Sequence, residues 1–440
     1  MNNTASLKRT DWGIRIVSLA GDRRAGTVVA SLLLTALLVT FKPFDPGGEA
    51  VPEGGDVINQ LGFGSLGALA VAALVAYCDP RKAAALISPW WLLLAGFLAL
   101  SVSNALDPDA ATRAALFTVI GMLAAAAVVT LPRDGDAYAT VFATAGFAVV
   151  TLCYAGLVLF PDVAVHGGDE LEPQHAGFWR GSFAHKNIAG PVMACLSFAG
   201  LYLWRHGWRK RGAALFLAAL WFMANTGSKT TAGLVPLVML TIMAPRAFGL
   251  PFLTPVLVWL ALIGTGLATL GIVFMEPIKA LAAEYFPELT YTGRTTLWAF
   301  LGERIAERPW TGWGFESLWG SPRMELVETS YDESWDVSGI VHGHNGWLDL
   351  AAIMGLPALA VGIIAFVAAP LRDFSRTPLL KVNVALADLF MMMMLFATLN
   401  AFLESFFFRR ADPVWLFLVM ATLGLRLTAR FAIPASSKGG

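Results

Sequence analysis

Apolar runs recur along the whole chain, most of them near the roughly 20 residues an α-helix needs to cross the hydrocarbon core of a bilayer. They lie at about 25–41, 57–77, 84–103, 111–131, 137–160, 187–204, 212–226, 230–244, 251–275, 345–369, 379–404 and 412–427. Short polar turns separate most of them. Two polar intervals are longer, Pro161 to His185 and Glu276 to Gly343. The pattern predicts an all-α polytopic membrane protein of about twelve transmembrane helices. It divides into helices 1–9 over residues 1–275, a long outer loop over 276–343, and helices 10–12 with a tail over 344–440. Spans seven and eight are short and separated only by Gly227-Ser228-Lys229, so they read either as two crossings or as one broken pair.

Composition agrees with this pattern. The 440 residues are 57% hydrophobic and 14% charged, against about 25% charged in ordinary soluble domains. Zero formal net charge gives no bulk attraction to nucleic acid. The three cysteines, Cys78, Cys153 and Cys195, lie in or beside apolar runs and read as small buried hydrophobes. The first apolar run follows basic residues like a signal peptide. It lacks an A-x-A site before Lys42-Pro43 and reads as a retained anchor.

Charge position sets the orientation. Arg81, Lys82, Arg133, Arg246, Arg372, Arg376 and the cluster Arg205-His206-Gly207-Trp208-Arg209-Lys210-Arg211 fall in the short loops of one side. The positive-inside rule makes that side cytoplasmic, with both termini on it. Both long polar intervals then face outward, and most groups capable of chemistry lie in or beside them.

Arg180, His185 and Lys186 sit at the outer mouth of span six, where the N-terminal N–H groups of a helix begin. Cations at a helix N-terminus suit a phosphate group. They equally suit snorkelling to lipid headgroups, with His185 as a helix cap. Lys229, in Thr226-Gly227-Ser228-Lys229-Thr230, could reach a polyanion or simply snorkel from a tight turn. The spacing there excludes a Walker A loop. Arg294 to Arg308 forms an amphipathic pattern, with Leu297, Leu301 and Ile305 at i+4 and Pro309 as its stop, suited to lying on the membrane surface. Arg294 occupies its first turn, where the helix dipole disfavours a cation. The arginine therefore calls for an anion, either Glu284 or Glu288 or a bound pyrophosphate. His342 and His344 stand at the mouth of span ten. Neutral imidazole can take a proton from a hydroxyl near neutral pH; the bland alternative is a capping or hydrogen-bonding histidine. On a continuous helix His344 and Gly355 would share a face to within about 20°. An H-x-H pair with no third outer ligand at a recognised spacing does not make a metal site. Asp388 and Lys381, in span eleven, read as a structural ion pair or as coupling residues of a transporter. Glu404, Arg409 and Arg410 gather at the outer end of that span and could complete a polar rim.

The order of five motifs resembles the bacterial O-antigen ligase superfamily: R-G-S-F-x-H-K-N at Arg180 to Asn187, T-G-S-K-T at Thr226 to Thr230, G-R-T-x-L-W at Gly293 to Trp298, G-W-G-F at Gly312 to Phe315, and H-N-x9-G at His344 to Gly355. The resemblance implies a metal-independent and cofactor-independent GT-C-type glycosyltransferase of the bacterial inner membrane. Its site would face the periplasm and take a glycan from undecaprenyl pyrophosphate to a sugar hydroxyl of lipid A–core. On that resemblance Arg180 and Arg294 hold the pyrophosphate, His344 activates or positions the acceptor hydroxyl, and Asn345 supports the histidine. His185, Lys186, Lys229 and His342 join the substrate-binding set. The superfamily often carries Arg where this chain has Lys229, and a small or hydroxylated residue where it has Ala358. A polymerase joining lipid-linked repeats is the alternative within the superfamily, and a lipid-linked glycan transporter the alternative outside it.

Overall fold

The computed structural model describes residues 23–39, 41–45, 56–167, 175–286, 291, 293–321, 340–410 and 412–436. The elements are helical, and the isolated Val165–Trp179 bridge is the one β pairing among the described residues. The N-terminal group comprises α1 (Arg23–Val39), α2 (Val57–Tyr77), α3 (Pro80–Leu86), α4 (Pro89–Ser103), α5 (Pro108–Thr130) and α6 (Gly135–Leu159). A second group follows: α7 (Lys186–His206), α8 (Arg209–Asn225), α9 (Lys229–Ala247) and α10 (Leu253–Phe274). Two polar helices, α11 (Glu276–Tyr285) and α12 (Arg294–Glu307), separate these from α13 (Gly346–Met354), α14 (Leu356–Ser375), α15 (Lys381–Asn400) and α16 (Pro413–Arg430). Among the described residues nine helices are long and apolar enough to cross a membrane, and a tenth span results if α3 and α4, which meet at 62°, are one broken crossing. The 17-residue α1 and α8 are shorter, about 26 Å at 1.5 Å per residue.

Helix starts are written locally. Asp56, Asp79, Asp107, Asp134 and Asp412 each accept N–H bonds from the first turn of the helix that follows. This satisfies donors that have no partner within the helix. The centre of the bundle is α15, 94% of whose span is buried. Its Met391–Met394 run is buried on every side, as expected of a helix apolar all round. Helices α7 and α16 pack on it and are themselves mostly buried. Cys153 and Cys195 are buried in the core and Cys78 is half-buried.

Three expectations change and one alternative left open is decided. Span ten is not one helix. It breaks at Gly355, whose φ of 88° and ψ of 165° lie outside helical space and where a Cβ would overlap the Trp310 carbonyl. His344 and Gly355 therefore share no helix face. Spans seven and eight are two separate helices, since α9 runs 19 residues and is apolar enough to cross alone. Helix α12 does not lay its apolar face on a membrane surface: Trp298, Phe300, Leu301 and Ile305 are buried against Leu348, Ala351 and Ala352 of α13 in a second core. Lastly, Asp388 is paired with Arg205 at 2.7 Å and Arg246 at 2.8 Å, not with Lys381. The last turns of α7 and α9 bring those two cations to α15, whereas Lys381 is exposed at its first turn.

Candidate functional site

At one end of the bundle the start of α7, the start of α12, the segment before α13 and the turn after α15 converge. The segment before α13 is stitched down first. The Gly343 N–H reaches both carboxylate oxygens of Asp349, at 3.2 and 3.0 Å, and its carbonyl accepts the Trp298 indole N–H at 3.1 Å. Trp319 donates to Asp349 at 2.9 Å. Asn345 caps α13 through Leu348 N–H at 3.0 Å, donates its amide to the Phe402 carbonyl at 2.9 Å, and donates its backbone N–H to the Ser405 hydroxyl at 2.9 Å. Gly346 N–H meets the Ala401 carbonyl at 2.7 Å. Between these anchors His344 takes φ 47°, an uncommon backbone for a residue with a Cβ, and its N–H reaches Nδ1 of His342 at 3.3 Å.

Glu404 is the meeting point. Its Oε2 lies 3.3 Å from His344 Nδ1. Its Oε1 accepts from Arg294 Nη2 at 3.0 Å and from the Asn187 amide at 3.1 Å. Arg294 Nη1 also donates to the Leu403 carbonyl. One carboxylate thus joins α7, α12 and the α13 approach. Burial pushes the Glu404 carboxyl up, but the His344 hydrogen bond and the Arg294 charge outweigh it and hold it below the usual carboxylate range. His342 is driven well below the ordinary histidine range, first by burial and then by its neighbours His344, Arg409, Arg294 and His185. The side chains of Glu404, Arg294 and His344 are 17%, 20% and 33% exposed, so the acid is enclosed and the imidazole is the more open member. That arrangement can place a base beside a cation.

The anion that Arg294 calls for is present in the chain: it is Glu404. Glu288 lies outside the described residues, and no ion pair joins Glu284 to Arg294. Of the remaining candidates, His185 caps α7 by accepting the Asn187 N–H at Nδ1, 3.1 Å away. Its ring packs with those of His166 and His175, with centroids 4.9 and 5.3 Å off. Lys186 is buried with its ammonium 4.4 Å from the Phe178 ring centroid, so it does not snorkel. Arg180 turns onto its own loop, donating to the Val163 and Ala184 carbonyls. Lys229 is exposed at the first turn of α9. Its turn stays close, because the Phe178 ring packs against Gly227 and Trp179 N–H donates to the Asn225 carbonyl at 3.0 Å. The structure therefore brings His344, His342, Asn345 and Arg294 into one cluster, reached from α7 by Asn187, with Arg180, Lys186 and Lys229 in the adjoining loop layer. Among the described residues no group of three or more His, Cys, Asp or Glu side chains is placed to hold a metal ion.

Residues 212–363 match the family model described as O-antigen ligase. That match, over part of the chain, supports assignment to the O-antigen ligase superfamily. No curated protein matches the chain. The matched ligase-family segment carries Lys229, Arg294, His342, His344 and Asn345 and stops short of Arg180, His185, Lys186 and Glu404. Three participants escaped the reading of the sequence as site residues: Glu404, Asp349 and Asn187. Glu404 had one signal, an acid in the polar break between two apolar spans and close to Arg409-Arg410. Asp349 had another, as a lone acid within an otherwise apolar run.

Proposed function

We propose that this membrane protein transfers O-antigen polysaccharide from undecaprenyl pyrophosphate to a sugar hydroxyl of lipid A–core, as a metal-independent GT-C-type ligase. In this reading it crosses the bacterial inner membrane twelve times, with its termini cytoplasmic and the His344 end of the bundle in the periplasm. The observation that carries the reading is the His344–Glu404–Arg294 cluster, a base beside a cation at one end of the bundle, in a chain with an O-antigen ligase domain.

The chemistry follows from those groups. His344 takes the proton of the acceptor hydroxyl, whose oxygen attacks the anomeric carbon of the glycan. The bond from that carbon to the phosphate oxygen breaks, and undecaprenyl pyrophosphate leaves with the electron pair. The proton passes from His344 to solvent. Pyrophosphate is a good leaving group, so charge stabilisation and positioning matter more than a strong acid. Arg294 supplies the charge at the reacting end. Arg180, Lys186 and Lys229 surround the approach of the donor headgroup.

A polymerase differs only in its acceptor, so one experiment separates the two. Purified protein in bilayers receives a synthetic undecaprenyl-pyrophosphoryl oligosaccharide with rough lipopolysaccharide, or with more of the same donor. Glycan on lipid A–core is the outcome of this proposal. Donor dimers alone establish the polymerase, and transfer to neither overturns both.

A further inference from the structure

The Glu404 carboxylate does two things at once. Its Oε2 faces His344 Nδ1 at 3.3 Å, while its Oε1 holds Arg294 at 3.0 Å and Asn187 at 3.1 Å. An ionised carboxylate only accepts hydrogen bonds. Its ionised state is favoured here by two cationic or donor neighbours on α12 and α7, one of them a guanidinium in direct contact. Nδ1 of His344 must therefore carry the proton of the neutral ring, and the lone pair is left on Nε2. The Glu404 side chain is enclosed and that of His344 is the more exposed, so the pinned nitrogen lies inward and the basic one belongs to the open side.

We infer that Glu404 is the positioning residue of the site, fixing the His344 tautomer so that Nε2 is the base and tying that readiness to Arg294. The inference rests on the acceptor-activating role proposed for His344. The tie follows from the shared carboxylate. Arg294 has five N–H donors, and two of its contacts are spent on Leu403 and Glu404. A phosphoryl group arriving at this guanidinium competes with Glu404 for its charge. As the Arg294–Glu404 contact weakens, more of the carboxylate's negative charge is left for the His344 N–H, and the imidazole becomes a better proton acceptor. Donor binding thus strengthens the base, which limits proton abstraction to the complex in which a leaving group is present.

The test uses full-length protein in bilayers with 15N-labelled histidine, the His344 signal being identified by its loss in His344→Gln. Wild-type protein is expected to show His344 protonated at Nδ1 and unprotonated at Nε2. Glu404→Gln, which keeps the shape and removes the charge, shifts the ring toward the Nε2–H tautomer. With the synthetic undecaprenyl-pyrophosphoryl oligosaccharide and rough lipopolysaccharide, kcat falls about 10²–10⁴-fold while the donor KM does not rise. Glu404→Asp recovers part of both signals. An Nε2–H tautomer in wild-type protein, or a Glu404→Gln variant with unchanged tautomer and kcat, overturns the inference. Absence of transfer in wild-type protein that still shows the Nδ1–H tautomer and its shift in Glu404→Gln overturns the proposed reaction and leaves the positioning role standing.

Discussion

Arg294 and Glu404 are separated by 110 positions in the chain, yet the guanidinium meets the carboxylate at 3.0 Å. Arg294 sits in the first turn of α12, where the helix dipole opposes a cation, and Glu404 reaches in from the turn after α15 to compensate. The same arginine holds the Leu403 carbonyl, so its planar fork spans two acceptors. A lysine cannot reproduce that geometry. Arg294→Lys is expected to lower kcat/KM for transfer about 10–100-fold, equivalent to losing about 1.5–3 kcal/mol from a charged hydrogen bond, with the protein still folded by gel filtration. Wild-type rates in this variant would rule out a fork-dependent clamp.

His344→Ala removes the proposed base and leaves the Asn345 cap and the Gly343–Asp349 anchor in place. Transfer should drop about 10²–10⁴-fold, the usual worth of general base catalysis. Thermal unfolding should change little, since the ring is part-exposed. A time course of product formation on lipid A–core checks the first point and a melting curve the second.

His342 is held neutral by burial and by the basic side chains around it. As pH falls below about 6.5, the unfolded chain takes up a proton at this position and the folded chain does not. The unfolded state then binds more protons, so stability falls as pH falls, by up to about 1.4 kcal/mol per pH unit. His342→Gln keeps an acceptor for the His344 N–H and has nothing to titrate. Melting temperatures between pH 7.5 and 5 should fall more steeply for wild type than for this variant. Parallel curves would show that His342 is not the group responsible.

At the opposite end of the bundle Asp388 is shared by Arg205 of α7 and Arg246 of α9. Asp388→Asn leaves two guanidiniums facing a neutral amide. Removing one side of a buried pair costs about 3–5 kcal/mol, reduced here because both arginines are partly exposed. A loss of about 2–4 kcal/mol, read as a lower melting temperature in bilayer discs, is expected. The remaining folded fraction should transfer glycan at the normal specific rate. A folded Asp388→Asn protein without activity would return Asp388 to the list of functional residues.

Gly355 joins α13 to α14 with φ 88° and ψ 165°, a region open essentially to glycine alone. Gly355→Ala adds that strain, about 1–3 kcal/mol, to an overlap with the Trp310 carbonyl. The variant is expected to express poorly and to melt well below wild type. Equal melting temperatures would mean that the joint can be rebuilt with a side chain.

The positions of most helices were legible in the sequence because they depend on neighbours a few positions away, whereas the count was not: nine or ten candidate crossings among the described residues stand against the twelve expected. An Asp followed by an apolar run, as at Asp56 or Asp107, states its own helix start, and Pro309 its own stop. Individual candidates were named where motif order carried them, as with Arg294, His344 and Asn345, and the structure brings these three together. The break at Gly355 was not legible, because a glycine two positions before a proline in an apolar run fits a continuous helix equally well until Trp310 is known to lie against it. Asp388 was matched to Lys381 because they share one helix, whereas its partners come from two others.

By itself, then, the sequence of this protein determined its helices, their apolar character and the end of the bundle that collects histidines and cations. Periodicity and local capping act over one or two turns and need no fold to be read. The tertiary structure alone decided that Glu404 binds His344 and Arg294, 60 and 110 positions away. A hydrogen bond requires its atoms within about 3 Å, and over such separations only the packing of α7, α12, α13 and α15 sets which side chains come that close. The candidate site therefore stands as one enclosed carboxylate with a histidine and an arginine on either side.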